Sequence, residues 1–371
     1  KLTPGTYSTQ VTYTAIAETP SYTISSISPT SLQYSDQTNK TITIMTTTPT
    51  SELGLGNITA SITNGTNTVN LTGCTEITSN GYRGAQCTYN GSLPITIDGY
   101  NVELTSSWHS ATYTKSKVFY IYQTTMQNFT GANCASLTES TTSADHRTML
   151  QDTRDGKVYA VSKLADGNCW MVQNLALDGG RTLHTSDSNV TQDRVLPDNI
   201  NYGSAESDSV AQIISYKSTD VDAQGSPFGN HYNWKAATAT LGNPSTTGTI
   251  YESVCPRNWR LPDDGTNNGS WYYLLATKYG YIDIQNATAQ AQRAAQPPTY
   301  IPNTGMYQKS ILDGIGDNNA LTTRNGLQWG TGTTQGLFYF REKYGSQADF
   351  RMTGYGLPKN IGVSVRCLFM P

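Results

Sequence analysis

Six cysteines and four histidines carry the widest chemistry in this 371-residue chain, and their spacing limits what they can do. The cysteines stand at positions 74, 87, 134, 169, 255 and 367, with no Cys-x-x-Cys among them. A site of thiolates and imidazoles draws its ligands from closely spaced pairs, which are missing here. The histidines, His109, His146, His184 and His231, are scattered and offer neither metal-ligand nor triad spacing. An even set of dispersed cysteines instead fits three disulfides in an oxidising, extracytoplasmic compartment. Cys74 and Cys87 flank the tip Asn80-Gly81-Tyr82-Arg83-Gly84, so a bridge between neighbouring strands is expected there. The remaining pairings stay open at this point.

Oxygen donors offer a second chemistry. Asp263-Asp264 and Asp317-Asn318-Asn319 are oxygen-rich, as calcium requires, but such tracts are turn formers first. No cofactor is expected, and calcium is the one ion with candidate donors. Arg260 and Arg366 sit among apolar residues. Their expected role is to bridge loop carbonyls, or a carboxylate such as Asp152 or Asp166.

Aromatic residues offer a third chemistry, binding. The chain has 24 tyrosines against 7 phenylalanines. Tyrosine pairs a large contact face with a polar tip, which suits wet binding surfaces. Between Tyr300 and Tyr355 the aromatics alternate with Gly and Asn. The ligand-binding candidates are Tyr300, Tyr307, Trp329, Tyr339, Tyr344 and Tyr355. Trp329 is placed in a surface loop, and Tyr339 on a strand, facing opposite to Phe338 and Phe340. Trp170, Trp234, Trp259 and Trp271 lie next to Gly, Pro or Cys and are read as core.

The elements that must position these residues fall into three stretches. Charged residues make up only 14% of the chain and the net charge is -3, with no basic run, so nucleic acid is not an expected partner. No apolar run reaches the roughly 20 residues that span a bilayer, and no signal peptide opens the chain. It is read as a piece of a longer exported protein. Residues 1–18 hold one strand pattern, Tyr7–Ala17, either the last strand of an upstream β-domain or a strand-exchange segment. Residues 19–123 read as seven short strands: 22–27, 40–46, 58–63, 68–72, 86–89, 99–105 and 117–122. With Asn64-Gly65 and Asn80-Gly81 as turns, they predict an all-β, immunoglobulin-like sandwich. Residues 124–371 mix long polar loops, such as 177–201 and 313–334, with helical stretches at 209–216, 270–279 and 284–296. That mixture predicts an α+β domain with much irregular loop.

Two resemblances bear on these domains. Ile24-Ser25-Ser26-Ile27-Ser28-Pro29-Thr30 resembles the start of the IPT/TIG group of immunoglobulin-like domains. Residues 149–369 carry four ordered tracts. They are Asp155-Gly156-Lys157-Val158-Tyr159 running on to Trp170-Met171-Val172-Gln173-Asn174-Leu175, then Gly229-Asn230-His231-Tyr232-Asn233-Trp234, then Cys255-Pro256-Arg257-Asn258-Trp259-Arg260-Leu261-Pro262, and last Gly362-Val363-Ser364-Val365-Arg366-Cys367. Together they resemble the Fibrobacter succinogenes major paralogous domain. The resemblance implies a C-type-lectin-like fold, related to that of formylglycine-generating enzymes. It also implies a bridge Cys255–Cys367, and with that bridge set, Cys134–Cys169 remains as the third pair. The sugar-binding triplets of calcium-dependent lectins are not matched by Gln296-Pro297-Pro298 or Asn233-Trp234-Lys235.

The combined expectation is a bacterial cell-surface adhesin, not an enzyme. An immunoglobulin-like stalk would present a C-type-lectin-like head, which binds a protein or glycan on another cell. The alternative is a structural subunit of a surface filament or layer, whose partners are copies of itself. An oxidase like the enzymes of related fold is the weaker third reading. It needs a pair of reactive thiols, and no second cysteine lies near Cys367 in sequence.

Overall fold

The computed structural model describes residues 21–140, 146–196, 229–239, 250–263 and 364–370, and as backbone the strands at 213–214, 248–249 and within 306–363. The fold is β-rich and mixed. Its helices among the described residues are α1 (Gly131–Ser136) and α2 (Trp234–Ala237). The described chain divides into two compact units. The first takes the residues up to Pro29 with Asn39–Asn90 and Tyr100–Val118. The second takes Thr30–Thr38, Gly91–Gly99 and the chain from Phe119 onward. The units therefore alternate along the sequence, where the composition shift marks one boundary near residue 123.

The first unit is one hydrogen-bonded path of strands, in the order β1 (Ile24–Ser28), β3 (Lys40–Pro49), β6 (Tyr82–Tyr89), β5 (Thr68–Ser79), β4 (Ile58–Thr63), β7 (Tyr100–Ser106) and β8 (Ala111–Tyr122). β5 curls the path. Its first residues pair with β4, up to Ala60↔Leu71, and after a bulge between Thr72 and Thr75 the rest pairs with β6. Alternation does the burying. Ile42, Ile44, Ile62, Val102 and Leu104 are all fully buried at every second position of β3, β4 and β7. All seven expected strands are present. Several run longer than the alternation predicts, because Thr72–Ser79 is mostly exposed and carries no buried face to read.

The second unit begins where the far end of β8 pairs in parallel with β2 (Ser31–Gln33), a strand the sequence did not signal. Its main sheet runs β18 (Trp259–Arg260), β26 (Leu368–Phe369), β12 (Cys169–Met171), β11 (Val158–Lys163), β10 (Arg147–Gln151), β9 (Thr124–Thr125). Short pairs β13 (Thr182–Leu183) and β14 (Arg194–Val195) pin the loop after it. A further sheet joins β15 (Ile213–Ile214), β16 (His231–Tyr232), β25 (Val363–Ser364), β21 (Asn318–Trp329), β22 (Gly332–Tyr344) and β23 (Gln347–Met352). Beside it, β17 (Gly248–Thr249) pairs with β21 and β24 (Leu357–Pro358) with β22, while β19 (Met306–Gln308) and β20 (Ile311–Asp313) form their own pair.

Two expectations give way here. Residues 313–334, expected as a polar loop, hold most of a β-hairpin. Ile213–Ile214, inside an expected helix, pairs as strand with β16. In the first stretch polar residues dominate and hide the period that marks a strand, and in the second a two-residue strand is too short to carry one. The expected helices at 270–279 and 284–296, Trp271 and the strand pattern at 7–17 lie outside the described residues.

Candidate functional site

The motif tracts come together around the main sheet of the second unit. The turn between β10 and β11 closes on Asp152, whose N–H donates to Lys157 O at 2.8 Å, while Gly156 N donates back to Asp152 O at 2.8 Å. Gly156 has φ 76°, a conformation that glycine adopts without steric cost. The next turn is tied by Asp166, whose carboxylate accepts from Trp170 Nε1 at 3.1 Å and from Asn168 Nδ2 at 2.8 Å. Across the sheet, Trp259 donates Nε1–H to Met126 O at 2.9 Å and packs with Phe129 and Phe369, ring centroids 5.0–5.7 Å apart. Trp170, Trp234 and Trp259 are buried, so these tryptophans are core, not platform.

The three disulfides are Cys74–Cys87 in the first unit, and Cys134–Cys169 and Cys255–Cys367 in the second. No cysteine is free. Cys255–Cys367 links the start of the Cys-Pro-Arg tract to the last strands across 112 residues.

A buried ionic cluster lies beneath this scaffold. Arg154 grips Asp152 with two nitrogens, Nε to Oδ1 at 2.9 Å and Nη2 to Oδ2 at 2.6 Å. Gln127 Nε2 adds a bond to Oδ1 at 2.8 Å, and Arg154 Nη1 reaches on to Val254 O at 2.7 Å. Burial pushes the Asp152 carboxyl up, but the Arg154 guanidinium and these hydrogen bonds outweigh it and hold it below the usual carboxylate range. Asp155 shifts the other way. Burial first, then the Asp152 charge, raises it, against its bond from Lys157 N. Lys157 Nζ lies 3.2 Å from Asp178 Oδ2 and 3.4 Å from Asp155 Oδ2. Every charge in this cluster is spent on neighbouring chain segments, so it behaves as a clamp. Asp152 apart, no spacing in the sequence marks it.

The expected arginine partners change accordingly. Arg260 pairs with Asp263 at 3.0 Å, and Arg366, fully buried, donates from Nε to Asn174 Oδ1 at 2.8 Å. Asp152 and Asp166 are committed elsewhere, to Arg154 and Trp170. Among the described residues no three His, Cys, Asp or Glu side chains gather as a metal site. The histidines stay apart. His184 Nδ1 meets Asp193 Oδ2 at 2.8 Å, and that bond raises the imidazole pKa. His146 Nδ1 faces Glu139 O, His109 Nε2 faces Leu53 O, and His231 is buried.

The aromatic candidates spread along the C-terminal strands. Tyr300 and Tyr355 lie outside the described residues. Tyr307 is in β19. Trp329 is the last residue of β21 and the register partner of Gly332, the first of β22, where the sequence suggests a loop. Tyr339 is mid-way along β22, cross-strand from Ala320 and Arg351. Tyr344 ends β22 opposite Gln347. At about 3.4 Å per residue, Trp329 and Tyr344 therefore lie roughly 40 Å apart along the strand. The three described hairpin candidates are thus spread along it, with Tyr339 and Tyr344 toward one end and Trp329 at the other. One exposed aromatic that the sequence reading passed over is Trp108, in the turn between β7 and β8. A tryptophan in the polar run Ser106-Ser107-Trp108-His109-Ser110 was its available signal.

No family model, no curated protein and no solved structure matches this chain.

Proposed function

We propose that the chain is an exported adhesin or ligand-binding protein, without enzymatic activity, from a bacterial surface. In this reading the first unit is an immunoglobulin-like stalk. The second is a C-type-lectin-like head that binds a protein or glycan on another cell. The observation that carries it is the run of aromatics Trp329, Tyr339 and Tyr344 along the long β21–β22 hairpin, in a unit whose remaining motifs are spent on scaffold. Three disulfides with no free thiol support an oxidising compartment, and no described helix is long and apolar enough to cross a membrane. Aromatic anchors dominate binding surfaces because they bury large area at little entropic cost.

The test is a glycan array together with pull-down from candidate partner cells, comparing wild type with Trp329→Ala and Tyr339→Ala. Loss of capture in either variant supports the hairpin as the binding element. Unchanged binding in both removes it.

A further inference from the structure

We propose a second binding site, on the first unit: a platform for a neutral pyranose built on Trp108. Trp108 is 60% exposed, although it sits against a packed loop. Its seat is made by two glycines. A Cβ on Gly56 would come within 2.5 Å of Trp108 Cδ1 and 2.7 Å of Cγ, and one on Gly54 within 2.9 Å of Cζ3. The ring thus spans both glycines, five-membered ring over one and benzo ring over the other. Each glycine leaves room that any other residue would fill. The far face of the ring is left to water.

The seat is fixed before any ligand arrives. Ser106 Oγ donates to Leu55 O at 2.7 Å, and Asn57 N donates to Ser107 Oγ at 2.8 Å. Ser107 N returns a bond to Asn57 O at 3.1 Å, and Leu55 N donates to Glu76 Oε2 at 2.7 Å. Two loops from different parts of the chain are therefore locked to each other and to β5. An aromatic held this way loses little freedom on binding.

The rim supplies the polar half of the site. Glu76 Oε2 lies 2.9 Å from the same point, above Gly54, that Trp108 Cζ3 approaches. Its other oxygen pairs with Arg83 Nη1, and both side chains keep partial exposure, 27% for Glu76 and 18% for Arg83. Arg83 Nη2 also anchors the loop through Thr50 O and Glu52 O, at 2.9 and 2.7 Å.

This combination selects a ligand class. The carboxylate and guanidinium neutralise one another, so the rim holds no net charge for an ionic ligand. The loop backbone groups named above already have partners, mostly side chains, and lie on no open strand edge, so they offer little to the main chain of a peptide. What remains is a flat apolar face beside a part-exposed carboxylate whose spare lone pairs can still accept from a hydroxyl. A pyranose matches it, with C–H groups on one face and hydroxyls around the edge.

The test uses the full chain labelled with 5-fluorotryptophan, which gives one fluorine resonance for each of six tryptophans. Trp108→Ala assigns the platform resonance and Trp329→Ala the hairpin resonance. The probes are neutral oligosaccharides of glucose, mannose, galactose and N-acetylglucosamine, titrated to tens of millimolar. The expected result is a saturable shift of the Trp108 resonance with at least one sugar. Trp108→Ala and Gly56→Val should each weaken that sugar's binding about tenfold or more, while Trp329→Ala leaves it unchanged. A Trp108 resonance that no sugar moves overturns the proposal. So does sugar binding that survives Trp108→Ala. A shift confined to Trp329 also overturns it, while supporting the hairpin face of the second unit.

Discussion

In the first unit most of the backbone is satisfied within its ladders, and side chains serve mainly the loop at residues 50–57. Strands of up to 12 residues pair in long ladders, and the apolar positions alternate cleanly into the core. Its one disulfide, Cys74–Cys87, spans 13 residues of a single hairpin. In the second unit the described strands of the main sheet are two to six residues long, and much of the backbone between them is irregular. Buried carbonyls and amides off the ladder still need partners. Side chains provide them: Gln127, Arg154, Tyr159, Asn230 and Tyr232 each bond main-chain groups there. The contrast shows why a chain so poor in charge buries Asp152, Arg154 and Arg366 in one unit and far less in the other. Irregular backbone recruits polar side chains inward, and long-range disulfides close the loops that result.

The hardest test of this contrast is removal of the longest bridge. Replacing Cys255 and Cys367 by Ser frees a loop of 112 residues. The loss of loop constraint amounts to about 4–5 kcal/mol. Hydrogen exchange should show amides of β10, β11 and β12 losing protection while those of β3, β4 and β7 keep theirs. Equal loss in both units would end the comparison.

Legibility in the sequence follows the same division. The strands of the first unit could be read because Ile42, Ile44, Ile62 and Val102 obey a period of two. β2 was missed because three residues carry no period, and the outer part of β5 because both its faces meet water. In the second unit glycines, tryptophans and cysteines marked the scaffold. They could not mark the Arg154–Asp152 clamp, since partners such as Val254 lie 100 residues away in sequence. The C-terminal aromatics were visible as composition, but their spread along a hairpin was not, because Asn and Thr between them mask strand period.

The next largest effect comes from breaking the clamp. Asp152→Asn leaves Arg154 buried, with 3% of its side chain exposed and its paired carboxylate gone, Asp155 remaining as a weaker opposing charge. Unpairing a buried ion costs about 3 kcal/mol or more. The double replacement Asp152→Leu with Arg154→Met removes both charges and should cost less than Asp152→Asn alone. Urea unfolding followed by tryptophan fluorescence reads both. If the double variant is the weaker one, the bonds from Gln127 and to Val254 matter more than the ion pair.

A smaller effect is expected in the first unit. Replacing Cys74 and Cys87 by Ser opens a loop of 13 residues, against 112 in the second unit. Loop-closure entropy makes this about 2 kcal/mol less costly than losing Cys255–Cys367. The ladder between β5 and β6 holds the same strands together without it. Loss of the whole first unit on this change would show that its ladder is not self-sufficient.

The smallest effect carries a sign that separates two neighbouring carboxylates. Asp152 has its folded pKa lowered, so its contribution to stability is complete above the unfolded value and is lost as pH falls through the folded one. Asp155 has its folded pKa raised, by burial first and then by the Asp152 charge. The fold therefore favours its protonated form, and its ionisation weakens the fold as pH rises through the unfolded and then the folded value. Asp155→Asn keeps the acceptor for Lys157 N and removes that buried charge. The variant should be slightly more stable than wild type at pH 7, with the gain closing as pH falls below the usual aspartate range. Urea midpoints at pH 7 and pH 3.5 measure it. A variant less stable at pH 7 would mean that the Lys157 ammonium, 3.4 Å from Oδ2, stabilises this carboxylate more than burial opposes it.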